Sequence, residues 1–487
     1  MGLRNDTVRG FLWTAIGTFG NGLIGFLVTI VLARFLTPED FGLIEIVLSL
    51  VVVSEVLVDC GFTKAIIREQ CVSNKDLSTL FFMNLVIALM LYILIFFFSP
   101  IISNAYSASD EFVTILRILS IKIVIDALAV SPIAECNRTM RFNLLAKVSF
   151  FSMIIAGTLS IVSIYWGLGI WSLVTYYLGF SVIRTVLILP LVKWNFRLEF
   201  SLLKAKELIR FGVPLMAGTV IDKGVTSLES LLVGKSFSKV DLGYFSQARK
   251  FDSLVIQNLI SVITKVTYPA LAKLTELEKL RSGYRDVIGI SVFAITPVAM
   301  FLFFNSAMVM TVIFGEQWLP AANYLRLFSI FSMVIPLYFI CHNIFFVRNS
   351  TKLWFRLTMI MQIVRLVVIF ITINISLNAF VVGIVCVMIG SAIMFIYNSG
   401  CLINYSIGEM LKDNSLSVVS ALLAVVVTKW AILWCELNGL LSLIMSIVSI
   451  AILYLLINRL LHNRMLSVCT AIIKPLCAKL KLKIKDM

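Results

Sequence analysis

Apolar residues run along this chain in long blocks separated by short polar interruptions. Fourteen blocks reach the roughly 20 residues that a helix needs to cross a bilayer: 11–35, 41–62, 79–101, 113–134, 147–166, 169–192, 211–233, 242–263, 287–314, 323–346, 355–374, 379–403, 416–435 and 440–459. The tightest connections are Trp166–Gly169 and Cys435–Gly439. The first block follows Arg4 and Arg9, is too long for the apolar region of a signal peptide, and precedes no A-x-A cleavage site. It reads as the first span. The expected fold class is an all-α integral membrane protein with about 14 transmembrane helices.

Composition agrees. Of 487 residues, 60% are hydrophobic and only 14% charged, against about a quarter charged in soluble domains. The nine cysteines (60, 71, 136, 341, 386, 401, 435, 469 and 477) show no CxxC or metal spacing and read as small buried hydrophobes.

The net charge of +15 matters for where it lies. Of the 41 Lys and Arg, 29 fall in the N-terminus, the even-to-odd loops, the tail and the span ends beside them. The loops on the other side hold only Lys235 and Lys239. This bias predicts that both termini are cytosolic. No basic, aromatic-interleaved soluble segment appears, so nucleic acid is not an expected partner. The longest outer loop, around Ser103–Phe112, is too short for an external catalytic domain. The connection "KWNFRLEFSLLKAKELIR", 193–210, is basic and partly amphipathic, as an interfacial helix would be.

The chain also repeats itself. "ARFLTPEDFGL" at 33–43 aligns with "GKSFSKVDLGY" at 234–244, matching Asp40 and Gly42 to Asp241 and Gly243 at an offset of 201. At the same offset Gly17-Thr18 match Gly218-Thr219, Thr63-Lys64 match Thr264-Lys265, and Arg34 corresponds to Lys235. "LRILS" at 116–120 resembles "LRLFS" at 325–329. Spans 1–6 and 7–12 therefore read as two parallel copies. The expected organisation is an N-lobe at 1–192, a cytosolic linker at 193–210, a C-lobe at 211–403, spans 13 and 14 within 404–460, and a basic cytosolic tail at 461–487. Two parallel six-helix lobes suggest alternating access.

This organisation and the pattern A-R-x-L-x-P-x-D-F-G resemble the polysaccharide flippases of the multidrug/oligosaccharidyl-lipid/polysaccharide superfamily, on the teichuronic- and colanic-acid exporter branch. Ala33, Arg34, Leu36, Pro38, Asp40, Phe41 and Gly42 fit the pattern, whereas the second copy lacks the proline. The resemblance implies a two-lobed transporter in the bacterial inner membrane. It would move undecaprenyl-pyrophosphate-linked oligosaccharide from the inner to the outer leaflet through a cationic central cavity, alongside other polysaccharide-assembly proteins. Span 1 carries no charge before Arg34, so no first-helix cation carries over.

An ionised side chain at the bilayer centre costs about 3 kcal/mol or more, so it must face a wet cavity, pair, or snorkel to an interface. In span 7, Asp222, Thr226 and Glu229 share one helix face and are expected to face the cleft. Span 2 carries Glu45, Glu55 and Asp59 with no base, so these need partners elsewhere. Asp222, Glu229, Glu55 and Asp59 are the candidates for coupling to H⁺ or Na⁺; no other cofactor is expected. The candidate substrate cations are Arg249, Lys250, Arg365, Arg117 and Arg326. Arg249 and Asp252 are spaced to pair, as are Lys122 and Asp126. Arg184 and Lys429 lie near span ends and are expected to snorkel. His342 reads as a structural histidine.

Catalytic signatures are absent. "GKS" at 234–236 lacks the first P-loop glycine, since position 229 is Glu229, and no H-E-x-x-H or G-x-S-x-G occurs. A transporter rather than an enzyme is expected. An ion-coupled multidrug extruder of the same superfamily is the alternative, and a membrane glycosyltransferase or polymerase a third reading.

Overall fold

The computed structural model describes residues 20–69, 72–192, 198–257, 276–434 and 439–470, with isolated positions between 259 and 274. The pairs Gly17-Thr18 and Thr264-Lys265, Arg4, Arg9, Cys71, Cys435, Cys477 and the tail beyond 470 lie outside the described residues, as does the placement of Gly218. Helices account for the described spans, and no strand occurs among the described residues.

The chain divides into two compact units, 1–246 and 247–487. The first holds α1 (Gly20–Phe35), α2 (Pro38–Asp59), α3 (Phe62–Arg68), α4 (Asn74–Ala105), α5 (Asp110–Arg138), α6 (Phe142–Tyr165), α7 (Trp171–Leu191), α8 (Leu202–Ser236) and the start of α9 (Lys239–Asp252). The second continues from α9 through a π-helical turn (Ser253–Gln257) to α10 (Leu277–Phe314), α11 (Ala321–Val347), α12 (Thr351–Thr372), α13 (Leu377–Ile403), α14 (Ile407–Trp434) and α15 (Gly439–Leu460). Ten described helices are long and apolar enough to cross a membrane. Spans 4, 7 and 8 fall on α5, α8 and α9, which carry more charge, and span 1 is described from Gly20 onward as α1.

Local chemistry sets the boundaries. Thr37 caps α2 by accepting the Asp40 amide at 3.3 Å, while the Asp40 carboxylate accepts the Thr37 amide at 2.9 Å; Pro38 supplies the first-turn φ. Ser73 and Asp76 do the same for α4. At the second repeat copy Ser238 accepts the Asp241 amide at 3.0 Å and donates to its carboxylate at 2.7 Å, starting α9 without a proline. Helix α2 ends where Cys60 and Gly61 turn left-handed, at φ 44° and 73°.

In the first unit α4 packs on α5, α6 on α7, α5 on α7, and α2 on both α5 and α8. A core of Phe62, Ala65, Ile66, Leu77, Leu80, Ala134 and Leu208 sits under α3. In the second, α10 packs on α11, α14 and α15, and α11 on α13. The outer faces suit lipid: Met90, Ile93, Leu94 and Phe97 of α4 and Ile363, Val367, Phe370 and Ile371 of α12 are exposed. Cys136 and Cys341 are buried, but Cys386 and Cys401 are exposed, so burial is not common to all the cysteines. Apolar spans that face lipid place small apolar side chains outward at no cost.

Candidate functional site

Among the described residues, a cluster of membrane-embedded charge lies in the first unit. Lys122 on α5 bonds the Glu55 carboxylate on α2 and lies 2.7 Å from Asp126, one turn along its own helix. Arg184 on α7 reaches the other Asp126 oxygen at 2.9 Å. Two acids and two bases thus form one chain joining α2, α5 and α7. Span 2 has no base of its own, so the partner of Glu55 had to come from another helix, and α5 supplies it. Asp59, one turn beyond Glu55, accepts from the Thr63 hydroxyl and amide of α3.

Beside this chain lies a cavity of about 210 Å³ lined by Glu55, Asp59, Thr63, Asp126 and Arg184 with apolar residues of α5. It presents three carboxylates and one guanidinium, while Lys122 is held between acids. Such a lining suits a cation or a proton and disfavours phosphate.

The structure corrects two expectations, that Arg184 snorkels and that Arg249 pairs with Asp252. Arg184 does not snorkel; the half-buried Asp126 is within its reach, and the two pair there. Arg249 does not pair with Asp252. Among the described residues Asp252 meets Ser332 on α11, whose hydroxyl oxygen lies 2.8 Å from each carboxyl oxygen.

The span 7 acids meet different surroundings. Asp222 is exposed, whereas Glu229 is 1% exposed. Seven residues keep one helix face but move about 10 Å along the axis, and that distance carries α8 into its packing on α2. There Ser230 donates to Glu45 at 3.3 Å. Thr226 bonds back to the Asp222 carbonyl at 2.9 Å.

Among the candidate cations, Arg117 donates to Ser99 Oγ at 2.8 Å and stacks 4.2 Å from the Phe96 ring, which ties α5 to α4. Arg249, Lys250 and Arg365 are half-buried in the second unit, and Arg326 is exposed there. Lys429 is exposed and donates to the Phe304 carbonyl at 3.2 Å. His342 is packed among rings, 4.6 Å from Phe395 and 4.7 Å from Tyr338 between centroids.

The motif residues build a joint. Pro38 and Gly42 are buried, Asp40 and Asp241 cap their helices, and Arg34 is exposed. A Cβ added at Gly42 would overlap the Lys239 carbonyl, and one added at Gly243 would overlap that of Pro38. The same ends are tied by Lys239 to Glu39 at 3.7 Å and to the Ser107 carbonyl at 3.2 Å. The Tyr106 hydroxyl donates to the Leu231 carbonyl at 3.0 Å; burial pushes its phenol up to about 12.

The sequence signal for Glu55 was the lack of a base in span 2, and for Lys122 its i, i+4 spacing to Asp126. Arg184 carried a weaker one, and Ser332 none, being one of many serines in apolar helices.

Comparison with known proteins identifies what this architecture resembles. The model of the family described as polysaccharide biosynthesis protein matches residues 31–323. The lipopolysaccharide biosynthesis protein WzxC of Escherichia coli (strain K12) is 25% identical over 69% of this chain and 68% of its own. The teichuronic acid biosynthesis protein TuaB of Bacillus subtilis (strain 168) is 23% identical over 67% and 68%. Among solved structures, the lipid II flippase MurJ in an inward closed conformation superposes with a TM-score of 0.74 over 92% of this chain and 99% of its own, at 16% identity. An inward-facing multidrug resistance transporter of the MATE family, MOP superfamily, superposes with a TM-score of 0.63 over 79% and 94%, at 17% identity. The fold is that of these membrane transporters.

Proposed function

The chain belongs to the polysaccharide biosynthesis protein family, and from that premise we propose that it is a secondary flippase for lipid-linked oligosaccharide. It carries undecaprenyl-pyrophosphate-linked repeat units from the inner to the outer leaflet for surface polysaccharide assembly. The observation that carries the reading is the family match across 31–323, which includes the capped joint of α2 and α9 and the bases of α9. The matched relatives are lipopolysaccharide and teichuronic acid biosynthesis proteins. The likeness to multidrug transporters is one of fold, so extrusion of drugs is the weaker alternative.

A lipid pyrophosphate must leave headgroup water to cross. Fixed cations in a wet path lower that cost, and a guanidinium can hold phosphate oxygens bidentately. Arg249, Lys250, Arg326 and Arg365 are the groups we assign to this role, with Arg117 bound more tightly to its own helices. The acid-rich cavity of Glu55, Asp59 and Asp126 is assigned to cation or proton coupling, because its lining would repel the substrate's phosphates. Asp222 and Glu229 remain coupling candidates on α8. Alternating access follows if substrate and ion bind inward and outward states with different affinities. Both termini are assigned to the cytosol, in a bacterial inner membrane.

The decisive experiment is deletion. Cells lacking the protein should accumulate lipid-linked oligosaccharide facing the cytosol and lose surface polysaccharide, and the gene supplied in trans should reverse both. Normal surface polysaccharide in the deletion strain would sink the reading. Reporter fusions test orientation: fusions after 38, 107 and 318 should report outside, and those after 70, 200 and 487 inside.

A further inference from the structure

Span 8 carries a carboxyl with no part in the cavity of the first unit. Asp252 is the last residue of α9 and is 8% exposed. It lies ten residues past Leu242, where span 8 begins, or about 15 Å into the membrane. Its one described partner is Ser332. The charged groups of the surrounding elements are Arg249 and Lys250, a turn or less earlier on α9, and Arg326 and His342 on α11, well over a turn to either side of Ser332. Helix α10 packs against α11 and the π-helical turn, and it contributes no charge between Asp286 and Glu316. No ion pair forms at Asp252 among the described residues.

The contact itself bears on the protonation state. A serine hydroxyl carries one hydrogen. It makes one linear bond to one carboxylate oxygen. The second oxygen lies equally close, at 2.8 Å, and would then oppose lone pair to lone pair. A proton on the carboxyl removes that opposition, because Asp252 then donates to Ser332 Oγ. An ionised carboxylate buried without a counter-charge is costly, and a neutral acid is not. The turn that follows, Ser253–Gln257, is π-helical. Such turns interrupt α-helices at functional sites, where the backbone has more than one way to wind.

We propose that Asp252 is a proton-carrying group of the transport cycle, neutral against Ser332 in this conformation and ionised when α9 or α11 moves and admits water. The step breaks the carboxyl O–H bond, leaves the electron pair on Asp252 and passes the proton to water; recapture reverses it, and nothing is oxidised or reduced. The role rests on the transporter reading above. Asparagine has the shape of the neutral acid and its ability to bond Ser332, but no proton to release. A merely structural acid would tolerate that exchange.

Infrared difference spectra of the full protein in lipid nanodiscs at pH 7 should show a protonated-carboxyl band in the wild type that Asp252→Asn lacks. No such difference would mean an ionised Asp252 and overturn the proposal. In deletion cells, at matched protein amounts and matched thermal stability, Asp252→Asn should restore at least tenfold less surface polysaccharide than the wild type, with Asp252→Glu intermediate. Export by Asp252→Asn at the wild-type level overturns the proposal and leaves the flippase reading standing. Failure of the wild type itself to restore export overturns that reading and the coupling role with it.

Discussion

Gly42 and Gly243 face one another across the joint of α2 and α9, and neither has room for a side chain. A Cβ on Gly42 would lie 3.2 Å from the Gly243 amide nitrogen and overlap the Lys239 carbonyl. A Cβ on Gly243 would lie 3.2 Å from Pro38 Cα and overlap the Pro38 carbonyl. Lys239 and Pro38 stand at the same repeat offset as the two glycines, so the contact is two-fold symmetric. A backbone C–H directed at a carbonyl has this geometry.

Gly42→Ala and Gly243→Ala should therefore each destabilise the protein by about 1–3 kcal/mol, the usual cost of forcing volume into a packed site. Gly390→Ala, with open space at its Cβ position, should be close to neutral. Thermal unfolding in one detergent measures all three. Equal melting temperatures for Gly42→Ala and Gly390→Ala would show that the joint can open by small shifts.

Lys122 sits between Glu55 and Asp126 with its side chain 14% exposed. Lys122→Met leaves the partly exposed Glu55 and the half-buried Asp126 short of a base and should cost about 1–3 kcal/mol. Adding Glu55→Gln should recover part of that loss, because Asp126 keeps Arg184 at 2.9 Å. Melting temperatures of the single and double variants check this, and a double variant less stable than the single would refute the pairing.

Hydrophobic blocks and their lengths made the helices legible, since crossing a bilayer leaves few alternatives. The unbalanced acids of span 2 announced that Glu55 needs a partner on another helix, and spacing announced the pair of Lys122 and Asp126. What the sequence could not show was which of several helices supplies a partner. Arg184 lies near enough to a span end to snorkel, and only the packing of α5 on α7 brings Asp126 within its reach. The i, i+3 spacing of Arg249 and Asp252 permits a pair that a serine on another helix displaces. The stripe of Asp222 and Glu229 is one face by periodicity, but a helix changes neighbours along its axis, and periodicity is blind to that.

The start of α14 offers a pH test outside the membrane. The Ser406 amide donates to Glu409 at 3.0 Å and Arg281 at 2.8 Å, and together they hold its carboxyl below the usual glutamate value. A depressed acid adds stability above its unfolded value of 4.5 and loses it as pH falls through the folded value. The wild type should therefore melt above Glu409→Gln at pH 7, and the gap should close below about pH 4.5. A gap that persists at pH 3 would assign the effect to packing rather than charge.

The assignment of substrate cations yields the sharpest functional test. Arg249 and Arg365 are half-buried within spans of the second unit, and Lys429 is exposed with its amine on a backbone carbonyl. If the first two hold the pyrophosphate, alanine at either should lower surface polysaccharide at least tenfold at matched protein levels. That factor corresponds to about 1.4 kcal/mol, within the range of one charge-assisted hydrogen bond. Lys429→Ala should export as the wild type does. Arg249→Lys and Arg365→Lys should fall between, because the charge survives but the planar fork that grips two phosphate oxygens is lost. Arg184 is no neutral control, since its removal takes from Asp126 one of its two bases. If Arg249→Ala and Arg365→Ala export as well as Lys429→Ala, the pyrophosphate is held elsewhere, and Lys250 and Arg326 are the next bases to test.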